Sequence, residues 1–362
     1  MRILIDIGHP AHVHYFKNLY WELIQHKHKV YITCKSINSI TTLLKYYKIP
    51  FTELGDKGNG IREKIFKQVK DVKKIANLIR KRDIKLAIGV SALAVHSSKI
   101  TKCKSILFDD DDQAVQPLTA KYVTPFADCV ISPDVLKYER LKNTIYYPGM
   151  HELAYLHPKR FTPNPEVLEK YGLSIDDKYY ILRFNAFKAH HDIYEGGMNL
   201  NQKRQLIRLL EQYGKVFITT EKEIDPEFEK YRIPIAPYEM HNFLAYSQML
   251  VSDSQTMSSE AAVLGIPSFR CNTFAGRLSI LEEEEKRYGL TYGYLPRQFD
   301  WMLEAIERVL QDTEAKAKLR IKRNRMLEGK IDVTAFWVWF IDNYPESVKE
   351  VKTEDFDFGR FR

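Results

Sequence analysis

The first polar turn of the chain carries three histidines, at positions 9, 12 and 14, directly after an apolar segment. In the sequence IDIGHPAHVHYFKNL, Gly8 ends a predicted strand, and an amphipathic pattern predicts a helix over residues 13–26. Helix starts at the ends of parallel strands favour anions, and an imidazole suits removal of a hydroxyl proton near neutral pH. We therefore expect His12 to be a general base, with His9 as the other candidate. Cap and packing roles are the alternative.

The spacing at this turn disfavours other ligands. The pattern GxGxxG is absent, so we expect neither NAD nor FAD to bind here. The imidazoles stand at i, i+3 and i+5, so only His9 and His12 could converge on one ion, and this spacing does not predict a metal site.

Four consecutive aspartates, residues 109–112, follow another apolar segment. A strand followed by Asp-x-Asp is typical of sites where carboxylate oxygens hold a divalent cation beside a nucleotide. Four adjacent carboxylates cannot all converge on one ion, however, and a stronger nucleotide signal lies later in the chain. We expect Asp109 or Asp110 to contact the acceptor or the sugar as a catalytic group. No metal cofactor is expected to be required.

The most informative segment is MLVSDSQTMSSEAAVLGIPSF, residues 249–269. Its pattern predicts a buried strand, a polar loop and a helix over residues 258–264 that ends at Gly265. The loop residues at the predicted helix start are Ser254, Gln255 and Thr256. Hydroxyl and backbone N–H groups in that position stabilise a diphosphate. Glu260, one turn later, can accept hydrogen bonds from two ribose hydroxyls, or it is only an acid that complements the helix dipole.

The segment ILRFNAFKAHHDIYEGGMN combines a strand end with a strongly polar loop. Its arginine, Arg183, is our candidate for neutralising phosphate charge. His190 and His191 follow in the loop and are candidates for contacts with the sugar nucleotide. A solvated loop with local ion pairs is the alternative.

Strands and helices, which the sequence shows as two kinds of apolar pattern, must position these residues. Short runs of Ile, Val and Leu alternate with longer amphipathic segments, which predicts an α/β fold around parallel sheets. The predicted strands are residues 3–7, 30–33, 86–90, 105–108, 129–132, 180–184, 215–219, 249–252 and 267–270. The predicted helices are residues 13–26, 38–47, 61–81, 92–99, 201–213, 240–247, 258–264 and 301–311.

Length and composition favour two domains. The chain has 362 residues, of which 44% are hydrophobic and 28% charged, as in ordinary globular proteins. Residues 147–165 concentrate Pro, Gly and aromatic residues, and we place the junction there. The expected divisions are an N-terminal domain (1–155), a C-terminal nucleotide-sugar domain (156–332), and a tail (333–362) whose aromatic helix, capped by Thr334, packs back on the N-terminal domain.

The excess positive charge of the chain lies in its first half. Residues 1–155 carry 25 Lys and Arg against 15 Asp and Glu, within a total net charge of +8. Residues 61–85 supply ten of these basic residues. Their apolar stripe, which packs as a helix face, comprises Ile65, Val69, Val72, Ile75 (or Ala76) and Ile79. A solvated face and peripheral contact with an anionic membrane are both open, whereas no motif supports nucleic acid.

The cysteines indicate the compartment. Cys34, Cys103, Cys129 and Cys271 are scattered singles without a CxxC pair, which favours reduced thiols in the core. The chain also lacks the run of about eighteen apolar residues that a membrane span needs. We expect a cytoplasmic protein that is free or associated with the cytoplasmic face of a membrane.

Residues 249–277 resemble the nucleotide-sugar site of GT-B superfamily enzymes, particularly UDP-N-acetylglucosamine 2-epimerases. The family pattern Asp-Ser-Gly-Gly-x-Gln-Glu-Glu-Ala-x-x-Leu-Gly-x-Pro, followed by Arg-x-x-Thr, is matched here by Asp253, Ser254, Glu260, Ala261, Leu264, Gly265, Pro267, Arg270 and Thr273. The resemblance implies two Rossmann-type, doubly wound parallel-sheet domains facing a central cleft. It also implies that Ser254 lies near the diphosphate and Glu260 on the ribose. Gln255 and Thr256 replace the two loop glycines of the pattern.

Two further resemblances concern the N-terminal turn and the chain as a whole. His12-Val13 matches the helix start of the lipid II-forming N-acetylglucosaminyltransferase, which implies a base role for His12. The whole chain resembles the domain of unknown function 354 family through IDIGHPAHVHYF, AYLHPKRF and ILRFNAFKAHHD.

The sequence therefore favours a glycosyltransferase that moves a sugar from a nucleotide-sugar, UDP-linked by resemblance, to a cell-surface polysaccharide or lipid-linked acceptor. A UDP-sugar 2-epimerase or hydrolase is the first alternative, and a non-catalytic sugar-nucleotide binding protein is the second.

Overall fold

Parallel strands dominate the part of the chain that the computed structural model describes, which comprises residues 1–55, 61–139, 143–184, 197–220 and 223–362. These residues divide into two compact units: unit 1 is 1–160 with 330–362, and unit 2 is 161–329. The domain boundaries predicted from the sequence, 155/156 and 332/333, lie within a few residues of the boundaries between these units.

Each unit contains one sheet, and every strand pair in it is parallel. In unit 1 the order is β3-β2-β1-β4-β5-β6-β7, with β1 Arg2–Ile7, β2 Lys29–Lys35, β3 Thr52–Gly55, β4 Leu86–Gly89, β5 Lys104–Phe108, β6 Cys129–Pro133 and β7 Thr144–Tyr147. In unit 2 the order is β12-β11-β10-β8-β9, with β8 Tyr179–Arg183, β9 Lys215–Thr219, β10 Met249–Ser252, β11 Ser268–Cys271 and β12 Thr291–Tyr294.

Helices connect the strands. Those of unit 1 are α1 Pro10–Gln25, α2 Asn38–Tyr46, α3 Ile61–Arg82, α4 Ala92–Lys99, α5 Pro117–Tyr122 and α6 Leu153–Leu156. Those of unit 2 are α7 Glu166–Glu169, α8 Leu200–Leu210, α9 Met240–Tyr246, α10 Gln255–Leu264, α11 Ser279–Glu282, α12 Phe299–Gln311 and α13 Ala315–Glu328. The tail of unit 1 adds α14 Val333–Asp342 and α15 Ser347–Glu350. Among the described helices, none is long and apolar enough to cross a membrane.

The nine predicted strands are confirmed, and the three that the prediction missed are all edge strands. β3 and β7 close the two edges of the first sheet, and β12 closes one edge of the second. Their sequences, TELG, TIYY and TYGY, contain few aliphatic residues. Edge strands pack against fewer neighbours than central strands, so their sequences need not show an apolar run.

The tail helix packs inside unit 1. Trp337 of α14 is fully buried, with its ring centroid 4.7 Å from that of Phe108 and 6.0 Å from that of Phe16. The prediction that Thr334 caps this helix is wrong. Asp332 caps α14 by accepting a hydrogen bond from the Ala335 backbone, because the helix starts one residue before Thr334.

The predicted junction over residues 147–165 is partly core. Most residues between β7 and position 157 are buried in unit 1, including His151 and Tyr155. Arg160 then pairs with Glu22 of α1 and with Asp332, 2.7 Å from its Nε. Pro, Gly and aromatic residues here therefore mark a compact buried turn rather than an exposed linker.

The stripe predicted on α3 is buried only in its second half. Ile75 and Ile79 are in the core, but Ile65 and Val69 are exposed. The first half of the predicted stripe is therefore not part of the core.

Candidate active site

Parallel strands all end at one edge of their sheet, so the polar residues that follow them are brought together. In unit 1 a buried carboxyl stands at this edge. Asp6 of β1 accepts hydrogen bonds from Thr33 Oγ1, at 2.8 Å, and from Ser91 Oγ. Burial raises the pKa of Asp6. Ser91 also caps α4, so this carboxyl holds the loop after β4 against the end of β1. The sequence analysis did not select Asp6, although an acid inside the apolar run RILIDI was a visible signal.

The histidine turn is held by two hydrogen bonds to ring nitrogens. His9 is the N-cap of α1, and its Nδ1 accepts a hydrogen bond from the Ala11 N–H at 3.2 Å. His12 Nδ1 accepts from the Gly8 N–H, also at 3.2 Å. Because Nδ1 is the acceptor, each neutral ring carries its proton on Nε2 and presents a donor there.

The prediction that α1 begins at residue 13 is wrong. The helix begins at Pro10, since proline fits the first helical position, where no N–H partner is required. His12 therefore lies within the first turn of the helix, and Gly8 is the residue that orients its ring.

Tyr15 connects His12 to the aspartate run. Its ring stacks on that of His12, with centroids 5.9 Å apart, and its hydroxyl donates a hydrogen bond to Asp110. Burial raises the pKa of Asp110 to about 7, with a further contribution from the charge of Asp111, while the Tyr15 hydrogen bond opposes the shift. Asp110 can therefore both hold and release a proton near neutral pH, as a general acid or base must.

Behind Tyr15 lies a neutral histidine. His151 is buried, its ring centroid 5.0 Å from that of Tyr15, and burial lowers its pKa to about 3. We call His12, Tyr15, Asp110 and His151 the histidine–aspartate cluster. Sequence reasoning selected His12 and Asp110 but missed Tyr15 and His151, because nothing in their local pattern distinguishes them from core aromatic residues. His14, the third histidine of the turn, is buried against Tyr155.

The four aspartates do not act as one group. Asp111 accepts hydrogen bonds from the Asp112 backbone and from Gln116, so it closes its own loop. The backbone N–H of Asp109 bonds to Ile131 of the next strand. Among the described residues, no set of three or more His, Cys, Asp or Glu side chains is arranged to hold a metal ion.

In unit 2 the strand ends align polar side chains across the sheet. Arg183 of β8 is in register with Thr219 and with Ser252, Ser252 with Arg270, and Arg270 with Gly293. Register partners in a parallel sheet share a face, which here is the face that α9 and α10 cover with apolar contacts. We call Arg183, Ser252 and Arg270 the arginine row.

Arg270 is the most unusual member of the row. It is fully buried, and none of its three guanidinium nitrogens has a hydrogen-bond partner among the described residues. Burial lowers the pKa of Arg270, and the charge of Glu285 opposes this shift. A Cβ at position 293 would stand 2.7 Å from Arg270 Nη2, so glycine there makes room for the guanidinium. A buried cation without hydrogen-bond acceptors fits an anionic ligand.

The loop after β10 is shorter than predicted. α10 begins at Gln255, so Gln255 and Thr256 are its first two residues and Ser254 is the cap. Ser254 Oγ accepts from the Met257 N–H, and the Ser254 N–H donates to Ser252 Oγ at 2.7 Å. The helix starts earlier than residue 258 because serine at position 254 supplies the acceptor that its first turn needs.

The other predicted binding residues have separate surroundings. Glu260 is buried, and its Oε1 lies 2.9 Å from Nε2 of His241 on α9, which the sequence analysis missed. Thr273 is partly exposed in the turn after β11, beside Asn272, whose amide donates to the Asp253 carbonyl at 3.0 Å. His190 and His191 lie outside the described residues.

A buried lysine near this loop was also missed. Lys203 of α8 is buried and lies over the ring of Phe184, with Nζ 4.9 Å from the centroid. Desolvation lowers its pKa, and the charges of Asp253 and Asp225 oppose the shift. Lys203 therefore adds positive charge beside the residue that precedes the α10 cap.

Two parallel-sheet α/β units with polar strand ends and a capped helix after β10 define a GT-B-like fold. The chain belongs to the family described as "Protein of unknown function (DUF354)", whose model matches residues 1–291. It is 24% identical over 283 residues to the uncharacterized protein MJ0665 of Methanocaldococcus jannaschii, an alignment that covers 74% of this chain and 81% of that one.

Solved structures share the fold at low identity. The S. aureus MnaA–UDP co-structure superposes with a TM-score of 0.69 at 15% identity, covering 98% of this chain and 100% of the other. The UDP-GlcNAc 2-epimerase of M. jannaschii superposes with a TM-score of 0.64 at 14% identity, covering 91% of this chain and 99% of the other. Spinosyn forosaminyltransferase SpnP superposes with a TM-score of 0.61 at 13% identity, covering 97% of this chain and 100% of the other.

The raised pKa of Asp110 predicts a pH-dependent stability difference between the wild type and Asp110→Asn. The folded protein keeps this proton up to about pH 7, whereas the unfolded chain releases it near pH 3.8. As the pH rises between these values, the wild type should lose stability relative to the variant, reaching a difference on the order of 4 kcal/mol above pH 7. Below about pH 4 the two should be equally stable. Urea unfolding across this pH range measures the difference.

The control is Asp177→Asn, because the hydrogen bond from Lys215 lowers the pKa of Asp177 to about 2. Its pH dependence should have the opposite sign, with the variant the less stable protein above about pH 4. A difference between wild type and Asp110→Asn that stays constant over the range contradicts the assignment.

Proposed function

We propose that this protein is a glycosyltransferase that moves a sugar from a UDP-sugar to a polysaccharide or lipid-linked acceptor of the bacterial or archaeal cell surface. The observation that carries the proposal is the buried guanidinium of Arg270, which has no hydrogen-bond acceptor within the described part of the chain and lies in register with Ser252, two residues before the α10 cap. A diphosphate supplies the acceptors that this cation lacks. Among the solved structures that share the fold, the S. aureus MnaA–UDP co-structure supports a UDP-linked donor, and the forosaminyltransferase SpnP supports a transfer reaction.

In this proposal unit 2 binds the donor. Arg270 and Arg183 neutralise the phosphates, and the backbone N–H groups of Gln255 and Thr256 at the start of α10 donate to them. Ser254 contributes mainly by capping the helix. Glu260, Thr273, His190 and His191 are the remaining donor contacts. Glu260 Oε1 also lies 2.9 Å from Nε2 of His241.

Unit 1 supplies the acid–base chemistry. Asp110, with its pKa of about 7, takes the proton of the acceptor hydroxyl as that oxygen attacks the anomeric carbon. The diphosphate leaves with its new charge stabilised by the arginines and the helix N–H groups. His12 donates a hydrogen bond from Nε2, since Nδ1 is occupied by the Gly8 N–H. Asp109 and His9 border these groups, and Gly8 orients the His12 ring.

The donor assignment predicts that Arg270→Met weakens UDP binding. Loss of a charge-assisted contact to phosphate should raise the Kd for UDP at least about thirtyfold. Isothermal titration calorimetry measures the change. Arg320→Met is the matched control, because Arg320 is an exposed arginine in the same unit, and its effect should stay within about twofold. Unchanged UDP affinity in Arg270→Met refutes the donor site.

The donor role of His12 predicts different outcomes for two substitutions. Glutamine retains an N–H near the position of Nε2, so His12→Gln should keep turnover within about tenfold of the wild type. His12→Ala removes the donor and should lose about 100-fold or more. Release of UDP from the donor sugar, measured under saturating substrate, gives both rates. Equal losses in the two variants would assign His12 as the base instead, since glutamine cannot accept the proton.

A nucleotide-sugar 2-epimerase or hydrolase is the second candidate. It is favoured by the match of the segment after β10 to the epimerase pattern, and the acids at positions 109 and 110 are groups that such chemistry needs. Incubation of UDP-N-acetylglucosamine with the protein alone, followed by NMR, separates the two reactions. An epimer or a free sugar that forms without acceptor refutes the transferase. Tight UDP binding with no turnover on any acceptor indicates a non-catalytic binding protein.

A further inference from the structure

An apolar and basic surface occupies the first turns of α3. Ile65, Phe66 and Val69 are 59%, 72% and 51% exposed. Residues at i, i+1 and i+4 lie within one side of a helix, so these three side chains form a continuous patch. Soluble monomers rarely expose adjacent apolar residues of this size unless the surface binds something.

Lysines stand on the same side of the helix. Lys70 and Lys73 follow Phe66 at i+4 and i+7, and both are exposed. Lys67 pairs with Glu63 at 2.8 Å, whereas the buried Asp71 is bound by Lys35 on the inner side. The side of α3 that these residues share therefore combines one aromatic and two aliphatic exposed side chains with two exposed lysines. We call Ile65, Phe66, Val69, Lys70 and Lys73 the α3 patch.

The helices beside α3 also expose apolar and basic residues. α3, α4 and α5 connect successive strands in the same direction along the sheet, from β3 to β6, so right-handed crossovers place all three on one face. α5 and the turn after it expose Leu118, Tyr122 and Phe126 at 72%, 51% and 50%. The Nζ of Lys121 lies 5.2 Å from the ring centroid of Tyr122. Exposed apolar and basic residues thus recur along one helical layer of unit 1.

We propose that the α3 patch binds the surface of an anionic lipid bilayer. Apolar side chains can insert into the interface between headgroups and acyl chains, while the flexible lysines reach the lipid phosphates. The combination of the two attractions is what stable peripheral binding requires. The proposal concerns attachment and does not depend on the reaction that the protein catalyses.

Two other partners fit this surface less well. A symmetric contact between two copies would bring the lysines of both α3 patches together, and like charges oppose such an interface. Single-stranded nucleic acid needs aromatic faces on which bases stack, and two of the three apolar side chains here are aliphatic. A bilayer accepts aliphatic and aromatic side chains equally and supplies the negative charge.

Flotation with the full chain and lipid vesicles tests the proposal. We expect binding to vesicles with about one third phosphatidylglycerol in phosphatidylcholine and at least about tenfold weaker binding to phosphatidylcholine alone. Raising NaCl from about 0.1 M to about 0.5 M should weaken binding to the anionic vesicles, because salt screens the lysines. No binding to the anionic vesicles overturns the proposal.

Matched variants localise the binding. Ile65→Ser with Phe66→Ser should reduce vesicle binding at least about tenfold, whereas Trp301→Ser with Ile321→Ser, which changes two comparably exposed residues of unit 2, should not. Lys70→Gln and Lys73→Gln should each weaken binding about fivefold, and Lys45→Gln, an exposed lysine on α2, should not.

The same variants exclude the competing partner. If sedimentation shows that the wild type is a dimer and that Ile65→Ser with Phe66→Ser is a monomer, the surface is an interface between copies and the proposal is wrong. Equal vesicle binding by the patch variants and their controls also overturns it. UDP affinity should be the same in all of these variants, so a failure here is distinct from a failure of the donor site.

Discussion

Parallel pairing is the constraint on which the rest of the structure depends. Because every strand pair in both sheets is parallel, the carboxyl ends of the strands lie at one edge of each sheet. Helices begin at that edge, with their N–H groups unpaired by the helix itself. In unit 1 this arrangement brings β1, α1 and the aspartates after β5 together, and in unit 2 it aligns the arginine row below the start of α10.

Both edges hold charged groups in poorly solvated positions. Asp6 and Asp110 have raised pKa values because burial disfavours the carboxylate, and Arg270 has a lowered pKa because burial disfavours its cation. Hydrogen bonds from Thr33 and Ser91 satisfy Asp6, so it is part of the scaffold. Arg270 has no such acceptor among the described residues, and that difference distinguishes a structural charge from a candidate binding group.

The elements that could be predicted from the sequence are those with a distinctive local pattern of residues. Central strands were predicted because strands covered on both faces need continuous aliphatic runs, whereas the edge strands β3, β7 and β12 do not. The segment after β10 was recognisable because capping, helix termination and a family pattern all fall within its twenty-one residues. The starts of α1 and α10 were misplaced by three residues, since proline and serine near a helix start belong to the first turn and its cap.

The sequence by itself determined the α/β class and the family, and it supplied the candidate residues of a nucleotide-sugar site, because these follow from periodicity and from short contiguous motifs. Only the tertiary structure decided which nitrogen of His12 accepts a hydrogen bond, that Tyr15 donates to Asp110, and that Arg270 is buried with no acceptor from any residue that the structure describes. It also decided that Ile65 and Val69 of α3 are exposed to solvent instead of packing in the core. These properties arise from contacts between residues far apart in the chain, and no local pattern encodes them.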